Sequence, residues 1–217
     1  FNADTFTLDK EWVIQVCEEI VNQRLKIEWG CNSRVDSIDR EVASWMKKAG
    51  CWIVSLGVES GNEEILKKTK KGITKQDVVE AVNVCKSEGL KSFLFLIIGL
   101  PWETKETAIE TIDFAKSLDC DFIEYNAAYP FPGTEYAEIL EKHNLFKRED
   151  IMKYDPSAVG SFRLTPQGIE KILKKALLSF HLRPKYIFKT ISNLRNTVEL
   201  KNFIIHGLKK FWSLCFD

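Results

Sequence analysis

The chain has 217 residues, of which 45% are hydrophobic and 29% are charged, and its formal net charge at pH 7 is zero. These values are typical of an ordinary water-soluble globular protein with one substantial core. The longest apolar run, which begins at Phe93, is about half of the ~20 residues that a membrane-spanning helix needs, so we interpret it as a buried strand.

The charges are distributed unevenly along the chain. Residues 1–150 contain 19 Lys and Arg against 27 Asp and Glu, whereas residues 151–217 contain 12 against 4. This asymmetry predicts two regions with different roles. Either the basic region meets an anionic surface or substrate, or the two regions attract each other, and the charge pattern leaves both interpretations open.

From Phe1 to about His143, short apolar runs alternate with helical patterns. Five strands are predicted, over FNADTF, KIEWGCN, CWIVSLGVE, SFLFLIIGL and DFIEYNAAY. Helices are predicted between them, over Lys10–Arg24, Ile38–Ala49, Glu63–Thr69, Lys75–Ser87 and Lys105–Leu118. This alternation predicts an α/β fold with a parallel sheet, either open or part of a barrel.

After His143 the pattern becomes helical and basic. Thr165 and Pro166 form a helix start, and residues 198–216 place apolar side chains on one side of a last helix. That helix either packs on the core or lies on a membrane surface. We therefore predict a core over residues 1–145 and a basic helical extension over residues 146–217.

Polar residues follow the predicted strands at positions that meet on one edge of a parallel sheet. An arginine and two acids there can hold a zwitterion, with its carboxylate at Arg34 and its ammonium at Asp4 or Glu59. Gly99 removes a side chain where a flat ring could approach the backbone. The structural alternatives are a helix cap at Asp4, an ion pair between Arg34 and Glu59, and a simple turn at Gly99–Pro101.

The six cysteines show no metal-binding spacing. They stand at positions 17, 31, 51, 85, 120 and 215 without a CxxC pair, which excludes a zinc ribbon. Cys31 is predicted at the carboxyl end of one strand and Cys51 at the amino end of the next. We expect these two thiols to face opposite edges, and we predict neither a metal site nor disulfides in the chain.

Six sequence blocks together resemble the radical S-adenosylmethionine (SAM) superfamily. In chain order they are NADTFT, WGCNSRVD, AGCWIVSLGVESGNEEIL, KKGIT, IIGLPWET and YPFPGTE. The chain looks most like the cobalamin-associated branch, which includes the anaerobic magnesium-protoporphyrin cyclase and B12-dependent methyltransferases. The resemblance implies a partial (β/α)6 barrel of the TIM type with the helical extension appended.

In that family, a CxxxCxxC loop after the first strand holds a [4Fe–4S] cluster. No such spacing occurs in this sequence, and FNADTF resembles the family's second strand. The resemblance therefore implies a C-terminal fragment that lacks the first strand and the cluster loop. As it stands, such a fragment is expected to be inactive.

The resemblance also assigns residues to the methionine end of SAM. Asp4 stands where the family places a group for the SAM amino function, and Arg34 where a residue faces the methionyl carboxylate. Glu59 and Ser60 match positions near the ribose and methionine. No catalytic residue is assigned.

The adenine end of SAM is assigned to the loop that follows the fourth predicted strand. Gly99, Leu100 and Pro101 match the segment that lies against adenine in the family. This chain has Trp102 where the family usually has glycine, which is expected to tighten or shield that edge.

The resemblance implies an enzyme that reductively cleaves SAM and starts methyl transfer, cyclisation or rearrangement. Its cofactors would be SAM, a [4Fe–4S] cluster and, in this branch, cobalamin. We expect a cytoplasmic protein with a small-molecule or lipid-like substrate, an electron donor such as flavodoxin or ferredoxin, and no nucleic acid. The basic stretch around Arg183 and Lys185 would suit an anionic substrate, and residues 198–216 would suit a membrane surface.

Two other functions remain open. A non-catalytic module could bind SAM, a protein partner or a membrane without redox chemistry. A methylthiotransferase-like radical SAM protein is the second alternative, although such proteins usually end in a small β-barrel rather than in helices.

Overall fold

A computed structural model describes residue 1, residues 3–145 and 159–192, and four residues near the C-terminus. Its centre is a parallel sheet of four strands that are adjacent in chain order. The strands are β1 (Trp29–Arg34), β2 (Cys51–Glu59), β3 (Lys91–Ile98) and β4 (Phe122–Ala127). The predicted α/β fold with a parallel sheet is confirmed, and over the described ranges the sheet is open rather than closed.

Helices lie before, between and after the strands. They are α1 (Lys10–Asn22), α2 (Arg40–Lys48), α3 (Glu63–Lys68), α4 (Lys75–Ser87), α5 (Lys105–Ser117) and α6 (Glu135–Lys142). Helix α1 precedes β1, α2 to α5 connect successive strands, and α6 follows β4. A side-chain oxygen accepts a backbone N–H at the start of each helix, as Asp9 does from Trp12 and Thr104 from Thr107. These caps, together with the spacing of apolar residues, explain why the predicted helix bounds agree within about two residues.

The two faces of the sheet have different surroundings. On the helix side, Leu56, Leu94 and Ile123 are buried in the main core. On the other side, Arg34, Gly57, Phe95 and Glu124 lie in one cross-strand row, and each remains at least partly exposed. These partly exposed residues therefore form a surface that extends from the middle of the sheet to its carboxyl edge.

The strand predicted over FNADTF does not form. Among its described residues, the segment runs beside β1 without strand pairing: Phe6 N–H donates to Asn32 O at 2.9 Å, the terminal amino group donates to Gly30 O at 2.7 Å, and the Asn32 side-chain amide donates to Ala3 O at 3.3 Å. Phe6 is held instead by its buried ring, which contacts Trp12 and Trp29. Aromatic packing therefore fixes this segment without a regular ladder.

Two further helices, α7 (Pro166–His181) and α8 (Pro184–Ser192), follow the sheet. Thr165 caps α7, with Pro166 at its first position as predicted. Ile169 and Phe180 of α7 belong to the same buried core as the strands. The division at residue 145 stays a prediction, since residues 146–158 lie outside the described ranges.

The last predicted helix, residues 198–216, lies mostly outside the described residues. Lys201, Ile205, Gly207 and Lys209 are helical and exposed. In the part of the chain that the structure describes, no helix has both the length and the apolar character needed to cross a bilayer. The predicted contact of this segment with a membrane surface stays a prediction.

The basic residues of α8 pair with acids at the amino end of β4. Lys189 Nζ lies 3.0 Å from Asp121 Oδ1 and 3.5 Å from Asp119 Oδ1, and Lys185 Nζ lies 3.6 Å from Asp119 Oδ2. Lys86 and these two lysines lower the pKa of Asp119 to about 2. The described part of the basic region is thus attracted to the acidic region, on the edge opposite the predicted site.

Arg183 attaches the C-terminal helices to the core. Its Nη1 donates to Lys116 O at 2.5 Å and its Nε to Phe180 O at 3.0 Å, with the guanidinium 3.9 Å from the centre of the Phe180 ring. This position, away from the carboxyl edge, argues against the expected role of Arg183 in holding an anionic substrate.

We expect Arg183→Ala to lower the free energy of unfolding by about 1–3 kcal/mol, because two carbonyls and one cation–π contact lose their partner. Urea denaturation measures the change. Lys185→Ala is the control, since its side chain is 77% exposed and surface substitutions usually change stability by less than about 0.5 kcal/mol. Equal losses in both variants would contradict the attachment.

Candidate functional site

A cavity of about 310 Å³, here called the charged cavity, opens at the carboxyl ends of β1 and β2. Its charged lining residues are Asp4, Arg34, Glu59 and Lys71. Three of these were predicted to meet at this edge, and the structure brings them together. The alternative for Asp4 is wrong, because Asp9 rather than Asp4 caps α1.

Arg34 is held by Asp36 rather than by Glu59. Its Nε and Nη2 donate to the two Asp36 carboxylate oxygens at 2.9 and 2.7 Å, and Nη2 also donates to Lys71 O at 2.6 Å. This guanidinium holds the pKa of Asp36 below its usual range. The alternative of an Arg34–Glu59 ion pair is therefore wrong, and Nη1 has no partner among the described residues.

Lys71 supplies a second cation, which the sequence analysis did not assign. Its ammonium pairs with Glu59 and donates to Gly57 O at 2.9 Å, and its side chain is 19% exposed. A Cβ on Gly57 would lie 2.5 Å from this ammonium. The missing side chain at Gly57 thus leaves the space that Lys71 fills.

The backbone at the end of β2 is distorted where Glu59 enters the cavity. The register with β3 shifts between Gly57 and Glu59, and Glu59 has φ of +67°. A non-glycine residue in this left-handed region costs on the order of 1 kcal/mol and is common at functional sites. This distortion sets the direction in which the Glu59 carboxylate leaves the strand.

Ser60 has an internal role in the structure. Its side chain is fully buried, and its hydroxyl lies 3.0 Å from Thr111 Oγ1 of α5. A Cβ on the neighbouring Gly61 would lie 2.7 Å from Thr111 Cα, so the Ser60–Gly61 turn is packed tightly against α5. Ser60 lines neither the charged cavity nor the second cavity that is described next. The cofactor contact predicted for Ser60 stays a prediction.

A second cavity of about 370 Å³, here called the aromatic cavity, lies beside the charged cavity. The two share Glu59 and Lys71 as lining residues. The apolar walls of the aromatic cavity are formed by Ile97, Leu100, Pro101, Trp102, Tyr136 and Ile139. The carboxyl edge therefore offers one charged compartment and one largely apolar compartment in direct continuity.

At Gly99, the space that a side chain would occupy is filled by α7, and the approach of a flat ring predicted there stays a prediction. Its φ is +97°, and a Cβ there would lie 2.6 Å from Ile169 Cδ1 of α7. Glycine is required by backbone conformation and by packing against α7. Leu100 and Pro101, the other two residues predicted for this loop, do line the aromatic cavity.

A buried acid fixes the loop from beneath. Glu103 is fully buried, and its Oε2 accepts Gly99 N–H at 2.6 Å, whereas its Oε1 has no partner in the described structure. Burial raises the pKa of Glu103 to about 7. Tyr136 donates its hydroxyl to Gly99 O at 3.3 Å, so both groups restrain the same turn.

The prediction that Cys31 and Cys51 face opposite edges is wrong. Because β1 begins at Trp29, Cys31 is its third residue, and Cys51 pairs with Trp29 on the neighbouring strand. The neighbouring Cys51 thiol and burial together raise the pKa of Cys31. Even so, no group of three or more Cys, His, Asp or Glu in the described ranges is arranged to hold a metal ion.

Comparison with known proteins identifies relatives of this chain. Residues 3–115 match the model of the radical SAM superfamily. The chain is 40% identical to an uncharacterized methyltransferase, PH0819, of Pyrococcus horikoshii. The match covers 88% of this chain and 42% of that protein. It is 30% identical to the anaerobic magnesium-protoporphyrin IX monomethyl ester cyclase of Rubrivivax gelatinosus, over 69% of the chain and 27% of the cyclase.

Two solved structures of radical SAM enzymes share this fold. The cobalamin-dependent SAM radical enzyme OxsB superimposes with a TM-score of 0.63 and 16% identity, over 94% of this chain and 36% of OxsB. The radical SAM methyltransferase TsrM of Kitasatospora setae gives 0.59 and 21%, over 77% of this chain and 36% of TsrM. The chain thus spans less than half the length of these relatives. The match over residues 3–115 shows that the chain belongs to the radical SAM superfamily.

Proposed function

We propose that this chain is the SAM-binding part of a radical SAM enzyme. The observation that carries the proposal is the junction of the charged and aromatic cavities at the carboxyl edge of the sheet. SAM has a zwitterionic amino-acid end and a flat, aromatic adenine end. The charged cavity suits the zwitterionic end chemically, and the aromatic cavity suits the adenine end. The two cavities adjoin, as the two ends of one SAM molecule require.

The charged cavity fits the amino-acid end. The Lys71 ammonium has three N–H donors, of which the described structure engages two, and the Nη1 of Arg34 has no partner there. These donors suit the SAM carboxylate. The carboxylates of Asp4 and Glu59 suit the α-ammonium group, so both charges of the amino-acid end are matched.

The aromatic cavity fits the adenosyl end. Leu100, Pro101 and Tyr136 give it apolar walls, and Glu59 stands at its junction with the charged cavity. We infer that Glu59 lies near the ribose, as the family resemblance implies. Gly99 then contributes by holding the Leu100–Pro101 turn and not by contacting adenine.

The described residues do not fit a [4Fe–4S] cluster. Cys17, Cys31, Cys51, Cys85 and Cys120 are all buried, and they form no set of three ligands. In a radical SAM enzyme, bound SAM would supply a methyl group or, once an electron from an iron–sulfur cluster breaks its sulfur–C5′ bond to release methionine, a 5′-deoxyadenosyl radical. The role we assign to these residues is to bind SAM and to orient it.

We infer the wider activity from the relatives. Their names include a methyltransferase and a cyclase, and the TsrM structure contains cobalamin and a [4Fe–4S] cluster. We propose for the whole protein methyl transfer, cyclisation or rearrangement on a small-molecule substrate. SAM, an iron–sulfur cluster and cobalamin would be its cofactors, and flavodoxin or ferredoxin its electron donor.

The proposal is tested by comparing SAM with decarboxylated SAM in isothermal titration calorimetry on the 217-residue chain. We expect SAM to bind at least about tenfold more tightly, because the carboxylate forms charge-assisted hydrogen bonds worth about 1.5–3 kcal/mol. Equal affinities, or no binding of SAM, would contradict the assignment of the charged cavity.

A further inference from the structure

Trp102 is a partly exposed aromatic residue in the wall of the aromatic cavity. It stands in the turn between β3 and α5, between the buried residues Pro101 and Glu103. Neither neighbour carries an aromatic ring. The indole is therefore the largest flat surface that this turn presents to the cavity.

The turn that carries Trp102 is fixed on both sides. Glu103 N–H donates to Leu100 O at 2.9 Å, and Phe162 N–H donates to Pro101 O at 3.3 Å. The Glu103 carboxylate holds Gly99 N–H at 2.6 Å. These bonds restrain the backbone before a ligand arrives, so little ordering of the turn is needed on binding.

Lys68, at the end of α3, contacts the same indole. Its ammonium lies 5.7 Å from the centre of a Trp102 ring, within the range of a cation–π contact. Both residues line the aromatic cavity. A cation and an aromatic face at one wall suit an electron-rich flat ring better than they suit an aliphatic chain.

We propose that Trp102 is a specificity-determining residue that stacks against the adenine ring of SAM. The inference rests on the proposed function and extends it, because it assigns recognition of the base to a side chain that the sequence predicted only to tighten or shield this edge. Stacking of a base on an aromatic side chain is worth about 1–3 kcal/mol, as measured by alanine substitution.

Fluorescence and calorimetric titrations of the 217-residue chain with SAM, adenosine and methionine test the proposal. We expect Trp102→Ala to weaken binding of SAM and adenosine about tenfold and to leave methionine binding unchanged. Trp102→Phe should keep the affinity for adenosine within about threefold, because the ring is retained. We expect adenosine to quench the tryptophan fluorescence of the parent chain, and we expect this quenching to disappear in Trp102→Phe.

The outcomes separate this inference from the proposed function. If SAM binding depends on Lys71 but not on Trp102, the stacking role is wrong and the proposed function stands. If Trp102→Ala weakens methionine as much as adenosine, the side chain is only structural and the inference is overturned. If SAM does not bind the parent chain, both proposals fail.

Discussion

We expect Lys71→Met to weaken SAM binding at least about tenfold and to retain the fold. The ammonium is the better buried of the two cations in the charged cavity, with 19% of its side chain exposed. A charge-assisted hydrogen bond to a carboxylate contributes about 1.5–3 kcal/mol, and 1.4 kcal/mol corresponds to a factor of ten in affinity. Isothermal titration calorimetry with SAM measures the loss.

A control variant and a second disruptive variant test whether the loss of SAM binding is specific to Lys71. Lys67→Met removes the same charge from the nearby helix α3, but Lys67 is exposed and lines neither cavity, so SAM affinity should change by less than about twofold. Gly57→Ala places a Cβ 2.5 Å from the Lys71 ammonium and should displace it. Unchanged binding in both Lys71→Met and Gly57→Ala would show that this cation does not hold the ligand.

Glu103→Gln should remove a pH dependence of stability from the parent chain. Burial raises the pKa of Glu103 from an ordinary value of 4.5 to about 7. Below pH 4.5 the carboxyl group is protonated in both the folded and the unfolded state. As the pH rises to about 7, the unfolded chain ionises first, so the folded state loses relative stability.

We expect this loss to be about 3 kcal/mol between pH 4.5 and pH 8, since each pKa unit corresponds to 1.36 kcal/mol. Urea denaturation at both pH values measures it as the difference between the parent chain and Glu103→Gln, which retains an acceptor for Gly99 N–H. Glu64→Gln, an exposed substitution on α3, is the control. A difference that does not change with pH would mean that Glu103 keeps an ordinary pKa in the folded chain.

The helices, the strands and the residues at the carboxyl edge of the sheet could be predicted from the sequence, because local rules determine them. Caps such as Asp9 and Thr104 mark helix starts, and alternating elements imply parallel strands. The rule that functional groups follow strand ends selected Asp4, Arg34 and Glu59, which the structure places in one cavity. Each of these follows from the positions of residues relative to a single element.

The errors concern contacts between elements. Lys71 lies between two helices, so a rule based on strand ends does not select it, although the KKGIT block in the family resemblance contained it. The packing of Gly99 against Ile169 was not predicted, because the approach of a distant helix has no signal near Gly99 in the sequence. Cys31 and Cys51 were misplaced because the start of β1 determines their register, and predicted strand ends are uncertain by several residues.

The most direct test of the account is the change in backbone amide chemical shifts when SAM is added to the isotope-labelled chain. We predict the largest changes at the carboxyl edge, at Arg34, Gly57–Glu59, Lys71 and Trp102. The amino edge around Asp119 and Arg183 should stay unchanged. Shifts confined to that amino edge, or absent throughout, would contradict the claim that the joined cavities bind SAM.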